Sequence, residues 1–547
     1  MSQTQMDVLP PAARQELLLR RADPAPLRLG TPVRAPRSRI RRARPVLTAL
    51  VALLVLAVVA LVHARGMYTG PLRFDDEGTY VSQARSLLDV GRLSPYTYWY
   101  DHPPLGWMLL SGWLAGPGAL WHAPNLIGGG RQLMLVVDLL SVGVLLVLAR
   151  RLGLSVAAAA AAGLLFALSP LALTYHRMVL LDNIATPLLL LAFVCAMSPK
   201  KHLGAAFASG LALAAAVLVK ETTLLLLPFV VWTLWRAAAG PTRRMCVTVF
   251  GLGLALPALL YPLYALTKGE LLPGPGHVSL WDGVLFQLFE RRSSGSVLNA
   301  HSDAHQVVAG WLARDPYLLA AGAALVLPAL LVRRLRPVAA ALLFGMLAVL
   351  RPGYLPVPYV VALLPLAALV VAGASDTAVR RLASWLRPRV ALVSRATMLR
   401  GGAAALVLVA LLVAAPAGAG SAARHWYYGD RSLMQVDFDR PYTDSTAWLE
   451  HHVSPGRTLL VDNVTWTDLV EAGYPQRHLV WFTKPDFDQQ IDRVITSWRD
   501  VDYVVSSDIM RTSLEAGPVL REAQLHSTVV ASFGSGSNQI QVRKVNP

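Results

Sequence analysis

Apolar runs constrain this chain more than any other feature. A bilayer core of about 30 Å asks for roughly 20 apolar residues per helix, and eleven such runs, several of them short, lie near 45–64, 131–149, 156–174, 180–197, 203–219, 222–236, 245–266, 317–332, 337–350, 354–373 and 402–421. Residues are 54% hydrophobic and only 15% charged, against about 25% charged in a soluble domain. The expectation is a polytopic α-helical membrane protein with about 11 transmembrane helices. The first run follows a 44-residue Arg-rich arm and precedes ten others, so it reads as an uncleaved anchor.

The formal charge of +17 would suggest a nucleic-acid partner in a soluble chain. Here its location gives a different meaning. Segments 1–44, 150–155, 198–202, 236–244, 333–336 and 374–401 hold 26 Lys or Arg against four acids. The region from Arg424 onward holds 12 basic and 16 acidic residues. Basic residues concentrate in cytoplasmic segments near the spans, so the N-terminus is expected inside a cytoplasmic membrane and the C-terminus outside. The charge then records topology, and no nucleic-acid partner is expected. The arm is too poor in apolar residues to fold and suits anionic lipid.

These bounds divide the chain into a disordered basic arm, 1–44, a transmembrane domain, 45–423, and an extracytoplasmic domain, 424–547. Two outer loops of the membrane domain are long, 65–130 and 267–316. The apolar stretch Pro104 to Trp121 is broken by Gly and Pro and reads as an interfacial or re-entrant helix. In the tail, Thr458–Asp462, His478–Phe482 and Val501–Ser506 read as buried strands, with helical patterns at 465–473, 487–498 and 511–524 and a β-rich end, Ser527–Val545. That alternation predicts a soluble α/β domain with a parallel core. Cys195 and Cys246 sit in apolar runs and offer no disulfide framework.

Chemistry concentrates in the first outer loop. Asp75, Asp76 and Glu77 are three adjacent carboxylates, which repel one another and call for a base, a metal or a cationic partner; capping of a helix over 79–89 accounts for them equally well. Downstream, Pro103 and Pro104 fix the backbone and hold Asp101 and His102 at the mouth of the apolar helix that follows.

Asp76-Glu77-x-x-Tyr80 followed by Asp101-His102-Pro103-Pro104-Leu105-Gly106 resembles the polyprenyl-phosphate-dependent glycosyltransferases of the GT-C fold. Within that fold the resemblance is to the family of the protein O-mannosyltransferases and lipid A aminoarabinose transferases. Ser169-Pro170, Arg177 with Asp182, the Lys220 to Pro228 segment, and Arg351 with Tyr359 and Pro365 extend it over roughly 70–420. The resemblance implies a sugar taken from a polyprenyl-phosphate donor and passed to an acceptor on the outer face, with Asp76 as general base. Glu77 would orient the acceptor or support Asp76, and Asp75 is the base if the register is shifted by one. It also implies donor or acceptor contacts from Asp101, His102, Arg177, Asp182, Lys220, Arg351 and Tyr359. No cofactor is implied and no divalent metal is indicated.

The chain departs from both subfamilies. His102 stands where the aminoarabinose transferases have a lysine before the Pro-Pro pair, and Trp107 stands where the mannosyltransferases have one after Leu-Gly. The tail favours an envelope glycan or lipid acceptor over a protein. His301 and His305 have helical metal-ligand spacing without an evident third ligand, and Arg291 and Arg292 suit lipid phosphate or the headgroup layer equally. A transporter or lipid-carrier flippase is the alternative, but its ionisable groups would cluster near the midplane, where only Asp138 stands.

Overall fold

The computed structural model describes residues 39–199, 202–386, 418, 420–512 and 517–546. Two compact units divide the chain, 1–50 and 51–547. Of the first unit only helical residues from Arg39 onward are described; the arm before them, and most of the run at 402–421, lie outside the described residues.

The other ten apolar runs are helical. In chain order the helices that matter here are α1, Arg39–Ala64; α2, Asp75–Val90; α3, Leu105–Ala115; α4, Leu126–Arg151; α5, Val156–Leu168; α6, Pro170–Arg177; α7, Leu181–Ala196; α8, Leu203–Val219; and α9, Leu227–Ala237. Then come α10, Arg243–Ala258; α11, Pro316–Leu330; α12, Arg336–Leu350; and α13, Leu364–Leu386. Among the described residues four helical segments, Pro45–Ala64, Leu126–Arg151, Gly240–Thr267 and Val357–Ser384, are long and apolar enough to cross a membrane. The α5–α6 pair makes a fifth if taken as one span bent by 63°. The others are shorter, so the expected total of eleven is not established by length. This is a multi-pass helical membrane protein all the same: Leu53, Leu54 and Leu61 of α1 face outward, whereas Val360, Leu364, Leu366 and Val370 near α13 are buried.

Local chemistry sets the breaks. At Ser169–Pro170 the serine is extended (ψ 134°) and caps α6 through its hydroxyl, while the proline takes the first helical position, where its missing N–H costs nothing. Helix α2 ends at Gly91 in the left-handed region, φ +66°, which glycine adopts without penalty. Helix α3 keeps Met108 and Leu109 outward, with Leu120 and Trp121 exposed beyond it, an apolar edge of the kind an interfacial segment needs.

The tail is a five-stranded sheet of order β2-β1-β3-β5-β4. Strands β1, Leu459–Val461, β2, Leu479–Trp481, and β3, Tyr503–Ser506, are parallel; β4, Ser527–Phe533, and β5, Ile540–Val545, add an antiparallel hairpin. The three parallel strands fall where the buried apolar runs predict them. One expectation fails. Residues 487–497 form turns and bends and not a helix, and Asp488 there accepts from Thr97 of the first outer loop and from the amide of Gln490. Helix α14, Arg440–His452, leads into the sheet, and α15, Asn463–Glu471, follows β1 and packs on α2.

Candidate active site

The three carboxylates at the start of α2 face three different surroundings. Phe74 is extended, so the chain enters the helix with its amide donating to Glu77 Oε2 at 3.0 Å. Glu77 is fully buried and takes three more donors: Arg131 Nε at 3.0 Å, Arg131 Nη2 at 2.9 Å and the Val179 amide at 3.0 Å. It therefore pins α2 to α4 and to the α6–α7 turn, and its lone pairs are spent on the scaffold. Asp75 turns toward the tail, where Asn463 Nδ2 lies 3.4 Å from its Oδ2 and 2.6 Å from Thr79 Oγ1. Asp76 is half-buried, within electrostatic reach of Lys220, His102, Asp182 and Arg291. Burial pushes its carboxyl above the ordinary range, with Lys220 and His102 acting against that rise. A carboxylate poised in this way suits a general base.

The cationic side of the site is built at the ends of two other elements. Lys220 follows α8 in extended backbone (φ −147°, ψ 111°), which turns its side chain back into the protein. Its Nζ lies 2.9 Å from His102 Nε2 and 3.8 Å from Asp182 Oδ2. His102 Nδ1 lies 3.0 Å from Glu221 Oε2. An ammonium only donates, so Nε2 accepts from Lys220 and Nδ1–H donates to Glu221. Burial lowers the Lys220 ammonium, but Asp182, Glu221, Asp76 and Asp101 outweigh it and raise its pKa. Burial opposes ionisation of Glu221 too, and His102 and Lys220 bring it down to about 2. A buried lysine that stays charged is a ready counter-ion for a phosphate.

His102 is delivered by an extended strap. Tyr96, Tyr98 and Tyr100 are buried along one face of it, in the alternation that extended chain imposes. Tyr98 Oη and Tyr261 Oη both donate to the His102 carbonyl, at 2.7 and 3.2 Å. Tyr100, at φ +53°, a strained setting for a non-glycine residue, donates to Glu270 at 2.5 Å. Asp101 follows, one of its carboxylate oxygens buried without a hydrogen-bond partner among the described residues.

Two basic loops close the outer side. Arg291 stacks over Tyr354 at 3.6 Å, donates to Gln287 at 2.9 Å and lies within electrostatic reach of Asp76. From sequence Arg291 suits lipid phosphate and the headgroup layer equally; its signal is its place at the end of the amphipathic run Trp281–Arg292. Arg351 is exposed and within electrostatic reach of Tyr359, whose hydroxyl turns to the Gly345 carbonyl at 3.4 Å. Tyr359 lines a mostly apolar cleft together with Asp182, Thr186, Thr223, Phe344 and Leu363. Asp182 thus belongs both to this cleft and to the Lys220 cluster.

Arg177 is turned away from these groups. It is buried and donates to the carbonyls of Val62 and Arg65 at 2.7 Å each and to Leu433 at 3.2 Å. It ties the end of α1 to the helical segment 420–435. Asp138 lies between His63 and His176, at 3.5 and 3.0 Å, a polar contact inside the bundle. His305 Nδ1 is held by the Val297 carbonyl at 2.9 Å.

Comparison with known proteins agrees with this architecture. Residues 96–261 match the family model described as dolichyl-phosphate-mannose-protein mannosyltransferase. That stretch includes Asp101, His102, Asp182 and Lys220, and excludes Asp76 and Arg291. The structure is similar to that of ArnT from Cupriavidus metallidurans bound to undecaprenyl phosphate, with TM-score 0.54 and 17% identity over 92% of this chain and 98% of that one. It is also similar to the oligosaccharyltransferase of Archaeoglobus fulgidus in complex with zinc and sulfate, with TM-score 0.52 and 14% identity over 90% and 75% of the two chains. No curated protein matches in sequence. The fold is GT-C and the enzyme class is glycosyltransferase.

Proposed function

We propose that this GT-C glycosyltransferase moves a sugar from a polyprenyl-phosphate donor to an acceptor on the outer face of the cytoplasmic membrane, with Asp76 as general base. One observation carries the reading: Asp76 lies within electrostatic reach of the buried Lys220 ammonium, whose neighbour Asp182, 3.8 Å away, lines an apolar cleft. A lipid-linked sugar phosphate has those two parts, an anionic head and a hydrocarbon tail. The Lys and Arg asymmetry of the loops supports an N-terminus inside and a C-terminal domain outside.

The reaction breaks the bond between the anomeric carbon and the phosphate oxygen and forms one to the acceptor oxygen. Asp76 takes the acceptor's hydroxyl proton as that bond forms. Lys220, oriented by His102 and Asp182, meets the charge that builds on the departing phosphate, and Arg291 approaches from the second outer loop. Charge stabilisation by preorganised donors in an enclosed site is the larger contribution to such a rate. Glu77 acts through α2, which it holds in place, and Asp75 faces the tail. The tail favours an envelope glycan or lipid acceptor over a protein.

The test is transfer by the full chain in nanodiscs, supplied with radiolabelled polyprenyl-phosphate mannose, arabinose, glucose or galactose and with envelope extract from a strain lacking the protein. Wild type should release polyprenyl phosphate from one of the four, and Asp76→Asn should lower that rate by 10²–10⁴. Full activity of Asp76→Asn would remove Asp76 as the base.

A further inference from the structure

We propose that Lys484, carried by the C-terminal domain, is a positioning residue for the active site, holding the strap 96–102 and through it Asp101. The inference rests on the transfer reaction proposed above, and it makes the tail part of the machinery that sets the site.

Lys484 lies in the turn after β2, and its ammonium is nearly enclosed. It sits over the ring of Trp99 at 4.6 Å, with Tyr96 at 5.6 Å and Trp481 at 5.8 Å. Two of these rings come from the strap and one from the tail. A cation over aromatic faces is attracted by the ring quadrupole, more strongly in a desolvated setting than in water. Asp488 pairs with Lys484 at 3.6 Å, and the same carboxylate accepts from the Thr97 hydroxyl at 2.7 Å and the Thr97 amide at 3.2 Å. Tyr96 completes the grip: its hydroxyl donates to the Leu479 carbonyl at 2.7 Å and accepts from the Trp481 amide at 3.1 Å, so strap and sheet are stitched through β2.

The strap runs from this grip into the active site. Asp101, two residues past Trp99, lies within electrostatic reach of Lys484 on the tail side and of Lys220 on the membrane side. Its carboxylate is therefore in the field of two lysines, one from each side. Burial pushes the Lys484 ammonium down while Asp488 and Asp101 act to hold its charge. Loss of that charge changes the field at Asp101 and frees the strap that presents His102 to Lys220. A misplacement of about 1 Å at a reacting group is enough to cost about 10²-fold in rate.

The test uses Lys484→Met, whose unbranched apolar side chain fills the aromatic cage without a charge, and Lys484→Arg, which restores the charge. Two readouts are taken on the full chain in nanodiscs. Hydrogen exchange of peptides covering 96–104 should rise in Lys484→Met and return toward wild type in Lys484→Arg, while peptides covering β1 and β3 stay unchanged. Unchanged exchange at 96–104, or equal loosening of the whole tail, would overturn the proposal whatever the substrate. In the transfer assay Lys484→Met should lower kcat by about 10- to 100-fold with little change in donor KM. Its effect should be non-additive with Asp101→Asn in a double-mutant cycle. Strict additivity would remove Asp101 as the group through which Lys484 acts. Altered exchange alongside a wild type that transfers none of the four sugars would instead count against the proposed reaction.

Discussion

The ammonium of Lys220 donates to Nε2 of His102 at 2.9 Å, joining two residues 118 positions apart. Since Nε2 must accept, His102 Nδ1–H faces Glu221 at 3.0 Å, and the imidazole passes the orienting effect of one carboxylate to one cation. Lys220→Met should lower transfer by about 10²–10³, as loss of one charge-stabilising donor does. His102→Gln, whose amide can accept from Lys220 and donate to Glu221, should cost only about tenfold. The comparison is made by polyprenyl phosphate release at saturating donor; equal losses in the two variants would mean that His102 does more than hold Lys220.

The pH dependence has a definite sign. Asp76 accepts a proton only when ionised, and burial raises its pKa above the ordinary carboxylate range. The acid limb of kcat/KM should therefore have its midpoint above that range, with rate rising as pH increases. Lys220 opposes the rise, so the residual activity of Lys220→Met should show the limb displaced further upward. A downward displacement would mean that another group titrates.

Neighbouring carboxylates should fail in different ways. Glu77→Gln leaves Arg131 buried without its counter-charge, and breaking a buried pair from one side costs about 3–5 kcal/mol. The expected result is a protein that unfolds earlier in denaturant yet keeps near wild-type turnover per folded molecule. Asp76→Asn should show the reverse, stable and inactive.

That contrast shows how far the sequence can be read. The runs of apolar residues carry their own period and length, so ten helical segments and the three parallel strands of the tail are legible without coordinates. The motif around Asp76 and His102 is legible as a constellation. What a motif does not carry is direction. Asp75, Asp76 and Glu77 are three consecutive acids, and only the helical turn of α2 decides that one meets the tail, one comes within electrostatic reach of Lys220 and one meets Arg131. Arg177 and Asp182 are close in sequence and share an outer turn, but the bend at Ser169–Pro170 sends the arginine toward α1. Lys484 lies in a segment with little pattern of its own, and Arg291 ends an amphipathic run whose packing partner the sequence does not name; long-range packing brings them to the strap and the site.

Arg177 can be tested as a scaffold residue. Its guanidinium serves three carbonyl acceptors, two of them at the end of α1. Hydrogen bonds from a charged donor contribute about 1.5–3 kcal/mol each at most, with the desolvation of Arg177 set against them. Arg177→Met should lower stability by about 2–3 kcal/mol and leave donor KM unchanged in the folded fraction. A tenfold or larger rise in donor KM would return Arg177 to the phosphate.

Gly78 offers the sharpest test of how the tail meets the site. It is buried in α2 beside Asp76 and Glu77, and a Cβ there would overlap the backbone of Asn463 and Val464 at the start of α15. Backbone cannot rotate aside as a side chain does, so Gly78→Ala must push α15 away from α2. The contacts from Asn463 to Thr79 and Asp75 would then open, as would the buried arrangement in which Arg73 holds Asp439 and Asp468. Alanine is the better helix former, so α2 itself is not weakened and the loss reports docking. The expected outcome is faster limited proteolysis around 436–458, release of the intact sheet domain, and a fall in transfer of about tenfold or more. Faster proteolysis with wild-type transfer would show that the site tolerates separation of the tail from α2 and needs only the membrane helices, and wild-type proteolysis would show that the docking of α15 absorbs the added Cβ.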